Sequence, residues 1–156
     1  MGTAIGATRL LFIGLLLAAT TVDAKRGDED VGLSLADTTT HADFQAQRAA
    51  IDEALAEPEQ YSEMSRSSRS SLQASLDAIA ARLEASGSLA AMSDAERDAL
   101  AADAEDVNEM LETARHDSRI VCTREATMGS NRTRRVCLTV AQRRRQSEGA
   151  QRLRED

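Results

Sequence analysis

The sequence predicts a mainly α fold that combines a helical hairpin, a small disulfide-closed β-hairpin and a C-terminal helix. Apolar residues recur at helical spacing through residues 40–117. Two short β-branched runs then flank a Gly-Ser pair, which is typical of a β-hairpin. A capping pattern directly after the second run predicts one more helix. The expected parts of the chain are a signal peptide at 1–24, a flexible leader at 25–39, a helical domain at 40–117, and the β-hairpin with a basic C-terminal helix at 118–156.

The N-terminal residues have the pattern of a secretory signal. Arg9 supplies a positive charge, the run from Leu10 to Ala19 is apolar, and Val22-Asp23-Ala24 ends in the small residues that signal peptidases cut. The apolar run is much shorter than the ~20 residues of a membrane-spanning helix, which argues against the alternative of an uncleaved anchor. We therefore expect cleavage after Ala24 and a periplasmic or extracellular protein with no transmembrane segment in its mature part. Nearly all of its basic residues are arginine, as in GC-rich bacterial genomes.

The first helix follows the polar leader. Thr40 and Asp43 have the spacing of a helix start. The helix should end near Glu57, because a residue before proline avoids helical geometry. One face is predicted to be apolar and comprises Phe44, Ile51 and Leu55.

The second helix is predicted to begin at Pro58, since proline at the first helical position loses no hydrogen bond. The serine-rich segment from Ser65 to Ser71 interrupts its apolar stripe and should be its weakest part. Gly87 is a natural stop. The apolar positions are Tyr61, Met64, Leu72, Leu76, Ile79 and Leu83.

The third helix has the clearest start signal in the chain, a capping box between Ser93 and Glu96. A narrow apolar seam follows, typical of packing against an antiparallel partner. Because the connection at 86–92 is short, the second and third helices should form a hairpin. The seam consists of Leu100, Ala104, Val107, Leu111 and Ala114.

The two cysteines lie on the predicted β-hairpin. A two-residue loop at Gly129 and Ser130 would place Cys122 directly opposite Cys137. Opposed residues lie within disulfide range, and an exported protein favours oxidation, so we expect this disulfide. A redox-active pair is the alternative, but such pairs usually form a Cys-x-x-Cys motif at a helix start. The same register opposes Glu125 to Arg134, which is favourable, and Arg124 to Arg135, which is not.

The C-terminal segment is basic although the whole chain has a net charge of −7. Residues 118–156 carry ten basic and four acidic side chains, whereas 25–117 carry eight basic and 21 acidic ones. Two interpretations are open: the arginines face an anionic partner, or they balance the acidic helices of the same molecule. The candidate anion-binding residues are Arg132, Arg134, Arg135, Arg143, Arg144 and Arg145.

No motif in the sequence indicates catalysis, a cofactor or a metal. His116 has only Glu112 at helical spacing, and two ligands do not make a metal site. His41 lies at a predicted helix start, where a surface or capping role is expected. The serine run lacks the glycines of a nucleophile elbow. Aromatic residues do not interleave with the arginines, which argues against single-stranded nucleic acid as a partner. An enzyme is therefore the disfavoured class.

The C-terminal half resembles a family of small exported proteins from proteobacteria. The similar segments are SRIVCTREATMGSNRTRRVCLTVAQRRR, with two cysteines around a Gly-Ser turn and a short Arg-rich helix, and the preceding SDAERDALAADAEDVNEML. The resemblance covers about the last 65 residues and implies architecture and export, without any catalytic residue. We expect a non-catalytic envelope protein that acts by protein contact. The alternative is a binder of anionic envelope polymers or lipid headgroups through the arginine cluster.

Overall fold

A computed structural model describes residues 31–126, 128–129 and 131–155, and within them the fold is mainly helical. A short 3₁₀ turn, Leu89–Ala91, connects two of the helices. The elements in chain order are α1 (His41–Ala56), α2 (Arg66–Ser86), α3 (Asp94–Ser118), β1 (Ile120–Ala126), β2 (Thr133–Thr139) and α4 (Val140–Glu155). The predicted mainly α class with a small two-stranded antiparallel sheet is confirmed.

The core lies between α1, α2 and α3 and is built mostly from leucine, isoleucine and alanine. Both predicted apolar stripes of α1 and α3 are buried, as helical spacing requires. Phe44 and Tyr61 are the aromatic residues in this cluster. The fully buried large side chains are Phe44, Ile51, Leu72, Leu76, Ile79, Leu83, Leu100 and Val107.

The start of α1 is a capping box, as the spacing of Thr40 and Asp43 predicted. The Asp43 amide donates to Thr40 Oγ1 at 3.3 Å, and the Thr40 amide donates to Asp43 Oδ2 at 2.8 Å. Hydrogen bonds from the hydroxyls of Thr39 and Thr40 lower the pKa of Asp43 to about 2. The helix ends at Ala56, directly before Glu57 and Pro58, so both predicted boundaries are confirmed.

The predicted start of the second helix is wrong. Residues 58–63 form turns, and α2 begins at Arg66 with Ser65 as its N-cap. The Ser68 amide donates to Ser65 Oγ at 3.0 Å, so the serine run caps the helix and does not interrupt it. The predicted end at Gly87 is confirmed, because that residue has φ +76° and its amide donates to the carbonyl of Leu83.

The described part of the predicted leader, residues 31–39, packs on the helical domain. Asn108 Oδ1 accepts from the Leu33 amide at 2.7 Å, and Asn108 Nδ2 donates to the Leu33 carbonyl at 2.9 Å. The side chain of Gln47 pairs in the same way with the backbone of Ser34, at 2.7 and 3.1 Å. A Cβ on Gly32 would come within 2.8 Å of Asn108 Oδ1, so glycine permits this close approach.

α3 begins with the predicted capping box. The Ser93 amide donates to Glu96 Oε2 at 2.8 Å, and the Glu96 amide donates to Ser93 Oγ at 3.4 Å. Every residue of the predicted seam is buried. An ion pair between Arg82 of α2 and Asp103 of α3 joins the two helices beside that seam.

The β-hairpin has the predicted register. Cys122 opposes Cys137 with 4.0 Å between the Cα atoms, and the two form a disulfide. The ladder ends at Ala126 and Thr133, and Gly129 in the connection has φ +75°. The other pairs are Ile120–Thr139, Val121–Leu138, Thr123–Val136, Arg124–Arg135 and Glu125–Arg134.

The predicted signal peptide and residues 25–30 lie outside the described residues. Among the helices that the structure does describe, none combines the length and apolar character that crossing a membrane requires.

Candidate functional site

The first turns of α4 bind the acidic helical domain through two arginines of the predicted cluster. Arg144 forms a bidentate pair with Asp117 at the end of α3: its two terminal nitrogens donate to the two carboxylate oxygens at 3.0 and 2.7 Å. Arg145 donates to Glu63 Oε2, in the segment before α2, at 2.9 Å. The paired guanidinium of Arg144 lowers the pKa of Asp117. These arginines are therefore neutralised within the molecule.

Glu63 joins three parts of the fold. Its Oε1 accepts from the hydroxyl of Thr139 at 2.7 Å, and its amide donates to Ser118 Oγ at 3.0 Å. Thr139 also caps α4, because the Gln142 amide donates to its Oγ1 at 3.0 Å. The hydrogen bond from Thr139 lowers the pKa of Glu63, and the pairing with Arg145 lowers it further. Glu63 thus fixes the position at which the β-hairpin and α4 leave the helical domain.

Arg143 faces the β-hairpin and is half-buried. One of its terminal nitrogens donates to the Val121 carbonyl at 3.0 Å. Its Nε is buried without a hydrogen-bond partner in the part of the chain that the structure describes. This arginine therefore links α4 to β1.

The remaining three arginines of the predicted cluster lie on or beside β2. Arg134 pairs with Glu125 across the ladder at 3.6 Å. Arg135 is exposed and stands opposite Arg124, a residue outside the predicted cluster. Arg132 is exposed next to the strand. The structure thus separates the six residues into three on α4, of which Arg144 and Arg145 bind the helical domain and Arg143 binds β1, and three on or beside β2.

A groove of about 440 Å³ runs between the start of α2 and the second half of α3. Glu63 and Asp117, with their arginine partners, stand at its border, and Met64 and Met110 contribute apolar surface. Its full lining is Glu63, Met64, Ser65, Ser68, Ser75, Asp106, Glu109, Met110, Thr113, Ala114 and Asp117. We call this the methionine groove.

The methionine groove carries uncompensated negative charge. Asp106 and Glu109 are exposed on α3, and neither has an ion-pair partner among the described residues. Methionine adapts to differently shaped apolar partners because its side chain is flexible and polarisable. Sequence reasoning did not find this surface. The one available signal was the pair Met64 and Met110, and the helical spacing assigned Met64 to a helix that begins only after it.

The described residues contain no group of three or more histidine, cysteine or acidic side chains able to hold a metal ion. His41 contacts Gln45 at 2.9 Å, and His116 Nδ1 lies 3.7 Å from Asp117 Oδ1. Both cysteines belong to the disulfide, so neither is a free thiol.

No protein-family model matches the chain, and comparison with curated proteins and with solved structures gives no match either.

Proposed function

We propose that this chain is a non-catalytic exported protein that acts by contact with another protein, through the methionine groove. The observation that carries the proposal is the combination of a concave surface with apolar methionines and two exposed carboxylates, Asp106 and Glu109, which have no ion-pair partner in the described part of the chain. Concave surfaces with an apolar interior and a few polar groups are the usual places of recognition. The fitting partner is a basic segment with at least one large apolar side chain.

Two further features belong to this proposal. The first is that α2 and α3 form a helical hairpin, which the ion pair between Arg82 and Asp103 and the short 3₁₀ connection support. The second is export, with cleavage after Ala24 and the mature protein in the envelope or outside the cell. The disulfide between Cys122 and Cys137 supports export, because such bonds persist in oxidising compartments.

In-cell photo-cross-linking tests the contact surface. A photoreactive amino acid in place of Thr113, at the groove, should cross-link to one reproducible envelope protein. The matched control is the same amino acid in place of Ala101, which is exposed on the same helix and does not line the groove. Equal cross-linking from both positions, or none from Thr113, contradicts the proposal.

Charge reversal then tests the chemistry of the partner. Replacing Asp106 and Glu109 with lysine should abolish the cross-link, because the partner segment is expected to be basic. The same reversal at Asp98 and Glu105, two exposed acids of α3 outside the groove, should leave it intact. If both double variants lose the cross-link equally, binding of the partner depends on the net charge of the chain and not on the carboxylates of the groove.

A further inference from the structure

The β-hairpin has two different faces. Alternation along the strands puts Val121, Thr123, Val136 and Leu138 on one face, where all four are partly buried. The disulfide and the pair Arg124–Arg135 lie on the opposite face, which we call the outer face. On the same face Ile120, Ala126 and Thr133 are exposed and uncharged, whereas Thr139 is buried where it binds Glu63.

Arg124 and Arg135 are held side by side in the ladder. They oppose each other in the ladder, both are exposed, and neither has an acidic partner among the described residues. Like charges directly opposite each other destabilise a strand pair. The disulfide lies two ladder pairs away, as the next pair on the same face, and it prevents the register from shifting to separate the two arginines. An anion between the two guanidinium groups would relieve the repulsion.

The connection between the strands carries an exposed apolar side chain. Met128 is 98% exposed, and Gly129 beside it has φ +75°, a turn conformation that suits glycine. Peripheral binding to anionic membranes combines the attraction of basic residues to the lipid headgroups with the burial of apolar side chains at the headgroup boundary. The outer face is open and not a cavity, so an extended anionic surface fits it better than a small enclosed ligand does.

We propose that the outer face of the β-hairpin, together with Met128 at its tip, binds anionic membrane lipids through their phosphate groups. Arg124 and Arg135 would bind lipid phosphate oxygens, and Met128 would enter the boundary between headgroups and acyl chains. This site uses none of the residues of the methionine groove. The proposed lipid binding is therefore independent of the proposed protein contact, and each can be tested without the other. It also differs from the predicted cluster, because the arginines of α4 take no part in it.

Vesicle binding tests the site with the protein purified after export. The probes are vesicles of phosphatidylcholine with one quarter phosphatidylglycerol, and vesicles of phosphatidylcholine alone. Binding to the anionic vesicles should weaken about fivefold for each arginine replaced, hence about 25-fold for Arg124→Gln with Arg135→Gln. The matched control is Arg152→Gln with Arg154→Gln, which removes the same charge from exposed positions on α4. Equal weakening by both double variants, or no binding to anionic vesicles, would overturn the site.

Fluorescence distinguishes a lipid surface from free phosphate. The chain has no tryptophan, so Met128→Trp introduces a single reporter at the tip. Its emission should shift to shorter wavelength with anionic vesicles and stay unchanged with inorganic phosphate or neutral vesicles. Release of vesicle-bound protein by inorganic phosphate at constant ionic strength, without any shift of the emission, would identify a soluble oxyanion as the ligand and overturn the membrane proposal.

Discussion

The substitution Glu63→Gln should destabilise the protein although Glu63 lies outside the helices. The carboxylate accepts from Thr139 at 2.7 Å and from Arg145 at 2.9 Å, and its side chain is only 12% exposed. Glutamine has nearly the same size, but its amide presents one oxygen and one NH₂ group. It can therefore satisfy at most one of the two donors, and it carries no charge to attract Arg145.

The size of the effect follows from the surroundings of each donor. Thr139 is nearly buried, and a hydrogen bond to a charged group is worth about 1.5 kcal/mol at the lower end of its range. The side chain of Arg145 is 58% exposed, so solvent screening reduces its ion pair to about 0.5 kcal/mol. Because glutamine leaves one donor unsatisfied and replaces a charged acceptor by a neutral one for the other, we expect a loss of about 1–2 kcal/mol in the free energy of unfolding, or roughly 3–8 °C in Tm for a domain of this size.

Urea unfolding of the purified protein, followed by circular dichroism, measures this loss. Glu59→Gln is the matched control, because Glu59 is exposed in the same connecting segment. That variant should lie within about 0.5 kcal/mol of the parent. A double-mutant cycle of Glu63→Gln with Thr139→Val isolates the hydrogen bond between the Thr139 hydroxyl and the Glu63 carboxylate. The prediction is contradicted if Glu63→Gln loses no more unfolding free energy than Glu59→Gln, or if the cycle shows no coupling between Glu63 and Thr139. Glu63 would then not anchor α4 on the helical domain.

Three further predictions concern the disulfide, acid pH and the leader. Replacing Cys122 and Cys137 with serine should cost about 3 kcal/mol by the chain-entropy argument, since both side chains are exposed and no packing is lost; an unchanged urea midpoint would contradict this. The folded-state pKa values of Glu63 and Asp117 are both lowered, so their stabilisation is present above about pH 5 and is lost as pH falls through the folded values. Unfolding midpoints from pH 6 to pH 2 should therefore fall, and they should fall less in Glu63→Gln. Asn108→Ala should cost about 1–2 kcal/mol and speed amide exchange at residues 31–39, because it leaves two backbone groups without partners; unchanged exchange there would mean that the leader is held by other contacts.

The elements that could be predicted from sequence are those that local signals determine. The capping box at Ser93 acts over three residues, and the register of the β-hairpin follows from a short connection and the position of Cys122 and Cys137. Such signals do not depend on distant parts of the chain, so the sequence contains all the information that they need. This explains why α3 and the strand pairing were predicted in detail.

The errors arose where two local signals compete or where a distant side chain decides. Pro58 and Ser65 are both acceptable helix starts, and the fold uses Ser65 while Tyr61 is buried in the turns between them. The polar composition of the leader predicts a flexible segment. In the described structure, however, Asn108, which is 75 positions away, binds the backbone of Leu33. No periodicity in the sequence reveals a backbone-to-amide pairing of this kind.

The predicted arginine cluster shows that charge counting alone does not tell which basic residues have partners inside the molecule. Arg144 and Arg145 follow a helix start at Thr139, and the hydroxyl of that same cap is bound to Glu63. The helix therefore begins against the acidic domain, and its first two turns carry their arginines to Asp117 and Glu63. The strand residues obey a different geometry, because register alone sets Arg135 opposite another arginine. Basic residues that are close in sequence thus differ in whether a partner inside the molecule neutralises them, and only those left without one are available to an anionic surface.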